Sequence, residues 1–315
     1  MDDLNLIYTI TKEYELGPLT KEPERLYGGF MHKNYLVTAK QSKWVIKLLN
    51  PQIMERTEAK ANFDIAEQLE GILEANHLPI ESALTFYQQK RQCLNGFYFY
   101  IFPYFNGSSL PFNAITKKHC SLIGQTLAHI HSLKTIHEPF LKAELSIDWP
   151  LYIQDQQALA KLGKWQQDYE KSSELPPLKT ICHNDLDPKN VLWHKWDFKI
   201  IDLECLQMSS PYLELLETAL CFAGYEDTFK VELFDQVVKA YYEIHRLPII
   251  DWEHIYHYNF KNKLEWLAYN LTRLQSEEQE ERSIGKLEAE KTWNNLRRYE
   301  ILENTLLMHL KTLTQ

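Results

Sequence analysis

The chain has 315 residues, of which 44% are hydrophobic and 24% charged, enough apolar material for a sizeable core and too much for disorder along most of its length. With 34 basic against 43 acidic residues the formal charge is −9, which disfavours general attraction to a nucleic-acid backbone. Five cysteines, an odd number with no C-x-x-C pair, speak against a disulfide framework or zinc knot.

Near the start, Met1-Asp2-Asp3-Leu4-Asn5 is acidic where a secretory signal needs basic residues. No apolar run reaches membrane-spanning length; even Val45–Leu49 is interrupted by Lys47. The expectation is a cytoplasmic globular protein with no membrane and no nucleic-acid partner. Along the first hundred residues, short β-type runs alternate with turn signals. Tyr27-Gly28-Gly29, Tyr35-Leu36-Val37 and Trp44–Leu49 read as hairpin strands. Glu55–Glu74, free of Pro and apolar at Ile65, Leu69, Ile72 and Leu73, predicts a helix. Phe97–Phe102 predicts another strand, ended by Pro103 and Asn106-Gly107.

After Gly107 the period changes from strand to helix. Leu122, Ile123, Leu127, Ile130 and Leu133 form the stripe of a buried helix, within which His129 and His131 read as core. Ser172–Pro177 is a connector, and Val191–Trp193 and Lys199–Ile201 are two short β-type runs. From Tyr212 onward long helices are expected, with Glu277–Glu281 a solvated face or loop. The chain thus divides into a β-rich part, 1–106, and a mainly helical part, 107–315.

Chemistry concentrates in one stretch, His183-Asn184-Asp185-Leu186-Asp187-Pro188-Lys189-Asn190, followed by Ile201-Asp202-Leu203-Glu204. A carboxylate and an amide five apart, with a second carboxylate closing the next strand, suit a hard cation such as Mg²⁺ and leave an oxygen to accept a proton. Lys47 lies inside an apolar strand. A buried ammonium needs a phosphate or a carboxylate beside it.

These residues resemble the catalytic loop and metal-binding segment of the aminoglycoside phosphotransferase and choline kinase superfamily, relatives of the protein kinases. The resemblance extends over most of the chain up to Glu204. It implies an α+β, protein-kinase-like bilobal fold and an enzyme that moves the γ-phosphate of ATP to a small-molecule hydroxyl with Mg²⁺. By the same resemblance Asp185 orients or deprotonates the hydroxyl, and Asn190 and Asp202 hold Mg²⁺. His183 fixes the loop, and Lys47 contacts the α- and β-phosphates. The partner of Lys47 should be a Glu on the following helix, Glu58 or Glu67, with Glu58 preferred. Gly28 and Gly29 resemble the phosphate-covering hairpin, although Phe30 and Met31 replace the usual small polar tip. Pro103 falls in the hinge, its carbonyl facing the adenine amino group, and the Phe105 N–H donates to the ring.

Asp187 and Lys189 depart from the His and Gly frequent in the family, and Lys189 is read as pointing to solvent. The acceptor stays open between a choline- or ethanolamine-like amino alcohol and an aminoglycoside, with a sugar or a non-catalytic pseudokinase role as alternatives. Trp252, Tyr256, Tyr258, Phe260, Trp266 and Tyr269, beside Glu253 and Glu265, are read as core ahead of an ammonium-binding cage. His254 and His257 lack a third ligand at zinc spacing. No Asp-Phe-Gly or Ala-Pro-Glu element is present, which weakens a protein-kinase reading.

Overall fold

A computed structural model describes residues 2–27, 31–135, 148–172 and 175–315. The chain forms two compact units, the first of residues 1–110 and 188–207, the second of 111–187 and 208–315.

The first unit opens with a helix absent from the sequence expectations, α1 (Asp3–Glu13). The Asp2 side chain caps it by accepting the Asn5 N–H at 2.8 Å. Leu6, Ile7 and Ile10 supply one apolar face. Strands β1 (Glu24–Leu26), β2 (Lys33–Thr38), β3 (Lys43–Leu48), β4 (Gln92–Leu94) and β5 (Phe97–Pro103) form an antiparallel sheet ordered β1-β2-β3-β5-β4. Alternation assigns the faces. Ile46 and Leu48 of β3 and Phe99 and Ile101 of β5 pack with Tyr35, Val37 and the α1 stripe. Lys47, paired in register with Tyr100, therefore takes the opposite face. On that face lie Leu49, Met54, Phe63 and Tyr100.

The helix expected over 55–74 is α3 (Ala59–Ala75), which begins four residues later, and a short helix outside that range, α2 (Pro51–Met54), precedes it. Glu55, Arg56 and Thr57 are exposed and offer nothing apolar to bury, so a polar turn separates the two.

Strands β7 (Val191–His194) and β8 (Asp197–Ile200) form a hairpin. A single cut at 106/107 places this hairpin with the helical part, whereas the structure assigns it to the first unit. The reason is backbone bonding. Ile200 N–H donates to the Pro79 carbonyl at 2.7 Å, Glu81 N–H to the Ile200 carbonyl at 2.8 Å, and Ser108 and Trp193 exchange two bonds at 3.1 and 2.9 Å. Gly107 permits the last approach, since a Cβ there would lie 2.9 Å from the Trp193 carbonyl oxygen.

The second unit contains α4 (Lys117–Ser132), α5 (Gln156–Lys171), β6 (Thr180–Cys182), α6 (Pro211–Phe222), α7 (Val231–Tyr242), α8 (Trp252–Arg273) and α9 (Gln279–Leu313). Strand β9 (Gln207–Ser209) spans the 207/208 crossing. Helix α6 is buried nearly all round and forms the middle of this unit's core. Ser173 and Glu174 of the expected connector lie outside the described residues. Among the described residues no helix is long and apolar enough to cross a membrane.

Candidate active site

In the first unit the site is organised around Lys47. Only 6% of the residue is exposed, and its Nζ bonds Asp202 Oδ1 and Glu204 Oε2. Burial alone would lower the ammonium's pKa, but the two carboxylates more than reverse this and hold it above its ordinary value. One cation thus serves two acids, and the acids respond differently. Burial and the neighbouring Glu204 charge raise Asp202. Burial would also raise Glu204, yet Lys47 and the His32 hydrogen bond hold it well below the carboxylate range.

The expected partner, a glutamate on the following helix, is not the one found. Glu58 stands at the start of α3 and makes no capping bond. Glu67 accepts the Tyr100 hydroxyl at 2.7 Å. Neither is among the partners of Lys47, because Asp202 and Glu204 already satisfy its charge.

Asn190 ends the 3-10 turn Pro188–Asn190, is 5% exposed, and its carbonyl accepts the Ile201 N–H at 2.9 Å. That bond ties it to Asp202, the next residue, whose φ of 67° turns the chain sharply out of β8. Asn190 and Asp202 offer neutral and anionic oxygens from one short hairpin, a donor set that fits Mg²⁺.

In the second unit Asp185 is half-buried just after β6. Its N–H donates to His183 Nδ1 at 3.3 Å, and its carbonyl accepts the Asp187 N–H at 2.9 Å. Asn184 adopts φ 61°, and its N–H donates to Glu214 Oε1 at 2.6 Å. The other Glu214 oxygen bonds His131 Nε2 at 2.7 Å, and His131 Nδ1 meets the Tyr241 hydroxyl at 2.8 Å. Burial would raise Glu214, but its bonds to His131 and Asn184 and the nearby His183 hold it below its ordinary value.

Cys182 joins this group, its Sγ 3.7 Å from His131 Nε2. Burial and then the Glu214 charge keep that thiol protonated. The buried network braces the turn that presents Asp185. His131, read as core from its helical stripe, is core and also part of this polar brace.

Gly28 and Gly29 lie outside the described residues. Pro103 is the last residue of β5, opposite Trp44. The Phe105 carbonyl accepts the Gly107 N–H at 2.9 Å. Lys189 is exposed. Trp252, Tyr256 and Phe260 are buried, as expected of core, whereas Trp266 stacks on Tyr269 near the surface. Tyr225 and Tyr299 do flank a cation, but it is the chain's own Lys263, at 4.7 and 4.8 Å from the ring centroids. His257 pairs with Glu303 at 2.9 Å.

Three residues absent from the expectations contact the expected ones: Glu204 bonds Lys47, His32 bonds Glu204, and Glu214 accepts the Asn184 N–H beside Asp185. The first was visible in the Ile-Asp-x-Glu run. The others depend on contacts far apart in sequence.

The model of the phosphotransferase enzyme family matches residues 23–253. Among solved structures, a spectinomycin phosphotransferase in complex with ADP and spectinomycin superposes with a TM-score of 0.69 at 16% identity, over 95% of this chain and 98% of that one. A microcompartment-associated aminopropanol kinase gives 0.66 at 13% identity, over 94% and 98% of the two chains. A Plasmodium vivax ethanolamine kinase gives 0.57 at 16%, over 86% and 81%. At these identities the likeness is one of fold. No curated protein matches the chain.

Proposed function

We propose that this chain, which belongs to the phosphotransferase enzyme family, transfers the γ-phosphate of ATP to a hydroxyl of a small amine-bearing molecule. One observation carries the reading: a buried lysine ammonium held by two carboxylates from the segment that follows the catalytic-loop motif. An ion pair of this kind is costly to bury, and a hydrophobic replacement is often no less stable, so function is the better reason for it.

In the first unit Lys47 meets the α- and β-phosphates, and the hairpin ending near Pro103 and Phe105 faces the adenine. Asn190 and Asp202 would hold Mg²⁺, which when bound supplies positive charge to the β- and γ-phosphates. In the second unit Asp185 accepts a hydrogen bond from the acceptor hydroxyl and takes its proton as the hydroxyl oxygen bonds the γ-phosphorus, while the bond from that phosphorus to the β,γ-bridging oxygen breaks and ADP leaves. The Glu214–His131 brace holds the Asp185 turn in place, so little reorganisation is needed during reaction.

The amine is inferred from the acceptors of proteins that share the fold. Similar structures are named for ethanolamine and aminopropanol, both amino alcohols. The reading is tested by following ADP release from Mg-ATP with ethanolamine, aminopropanol, choline, spectinomycin, other aminoglycosides and hexoses. Turnover with an amine-bearing alcohol supports it. Turnover with hexoses alone would make the enzyme a sugar kinase.

A further inference from the structure

His32 stands immediately before β2, with only 6% of its side chain exposed. Its Nδ1 accepts the Asn50 backbone N–H at 3.0 Å. An imidazole nitrogen that accepts carries no proton, so the proton sits on Nε2. Nε2 lies 2.9 Å from Glu204 Oε1 and donates to it. The remaining oxygen, Oε2, is the one bonded to Lys47.

The donor end of this relay is itself fixed. Asn50 caps α2, its side chain accepting the Gln52 N–H at 2.9 Å and its carbonyl the Ile53 and Met54 N–H groups at 3.1 Å. A continuous chain of hydrogen bonds therefore runs from the first turn of α2 through His32 and Glu204 to Lys47. Glu204 has rotatable side-chain bonds, and a carboxylate tied only to a flexible lysine can swing with it. A second donor, locked at its far nitrogen by backbone, removes that freedom.

We propose that His32 is a positioning residue for nucleotide binding: it orients Glu204, and through Glu204 it places the Lys47 ammonium. The inference rests on the reading of Lys47 as a phosphate-binding residue. Two amide variants separate positioning from packing. In His32→Gln the amide nitrogen falls near the Nε2 place and can still donate to Glu204. In His32→Asn the shorter side chain falls near Nδ1, keeps the Asn50 contact and loses Glu204.

Mg-ATP affinity by isothermal titration, with the ATP KM and acceptor KM, is measured for wild type, both variants and Lys47→Met, each with its melting temperature. The expected result is Mg-ATP binding about tenfold weaker for His32→Asn, the scale of one hydrogen bond to a charged group. His32→Gln should stay within about twofold of wild type, with the acceptor KM unchanged in both. Wild-type affinity in His32→Asn, with Lys47→Met weakened, overturns the role of His32 and leaves that of Lys47 standing. Equal losses of binding and melting temperature in both His32 variants make His32 a packing residue and overturn the proposal. Equal binding by wild type and Lys47→Met, or none by either, overturns it together with the phosphate-binding reading of Lys47.

Discussion

A carboxylate's consequences depend on what it touches, and Asp185 and Glu214 show the difference. Asp185 is half-buried. Replacing it by Asn keeps size and backbone bonds but removes the proton acceptor. Turnover should fall by about 10²- to 10⁴-fold while Mg-ATP affinity holds, a split read from kcat beside a nucleotide titration. Glu214 is 5% exposed and spends both oxygens on structure. Its pKa is lowered on folding, so as pH falls the unfolded chain takes up the proton first and is favoured. Its contribution is complete at neutral pH, starts to fade at about pH 5, near the ordinary carboxylate value, and is lost as pH drops through the depressed folded value. Glu214→Gln should cost about 1.5–3 kcal/mol at pH 7. The gap to wild type should narrow in urea melts toward pH 3. A gap independent of pH would remove Glu214 as the source.

At the scale of elements, two helical glycines predict opposite outcomes for the same substitution. A Cβ on Gly124 of α4 would meet the Val237 carbonyl oxygen of α7 at 2.4 Å and Ala240 Cβ at 3.1 Å. Gly124→Ala should therefore lose about 1–3 kcal/mol to overpacking, beyond the helix propensity it gains. Gly163 of α5 has nothing within 4 Å of such a Cβ, so Gly163→Ala should gain about 0.5–1 kcal/mol. Paired thermal melts check both signs. The sequence exposed the α4 stripe at Ile123, Leu127 and Ile130 because burial repeats with the helical period. It did not expose the contact at Gly124, which depends on which helix lies opposite. Helix α1 was not read from the sequence, because its apolar stripe of Leu6, Ile7 and Ile10 is short. The helix expected over 55–74 merged a polar turn into its pattern because propensity alone cannot sense that Glu55–Thr57 bury nothing.

Over the whole molecule the motif residues are divided between units: Asp185 in the second, and Lys47, Asn190 and Asp202 in the first. The motif that joins them was readable because the five-residue spacing and the Ile-Asp-x-Glu run are local. The return of 188–207 to the first unit was not, since Pro79, Glu81 and Ser108 bind it through backbone groups that carry no sequence signal. The return of this segment also carries Asp202 and Glu204 to Lys47, in place of the expected Glu58 or Glu67. Nucleotide binding to the first unit should stabilise the folded chain by about 2.7 kcal/mol at a hundredfold excess over Kd, seen as a rise in Tm with Mg-ATP. The most direct test of the central claim is phosphorus-31 NMR of the enzyme with Mg-ATP and an amino alcohol, run beside Asp185→Asn. The account predicts a new phosphomonoester resonance growing as the γ-phosphate signal falls, and neither change in the variant. A phosphomonoester formed equally fast by Asp185→Asn would contradict it, as would inorganic phosphate as the sole product across the panel of amine-bearing alcohols.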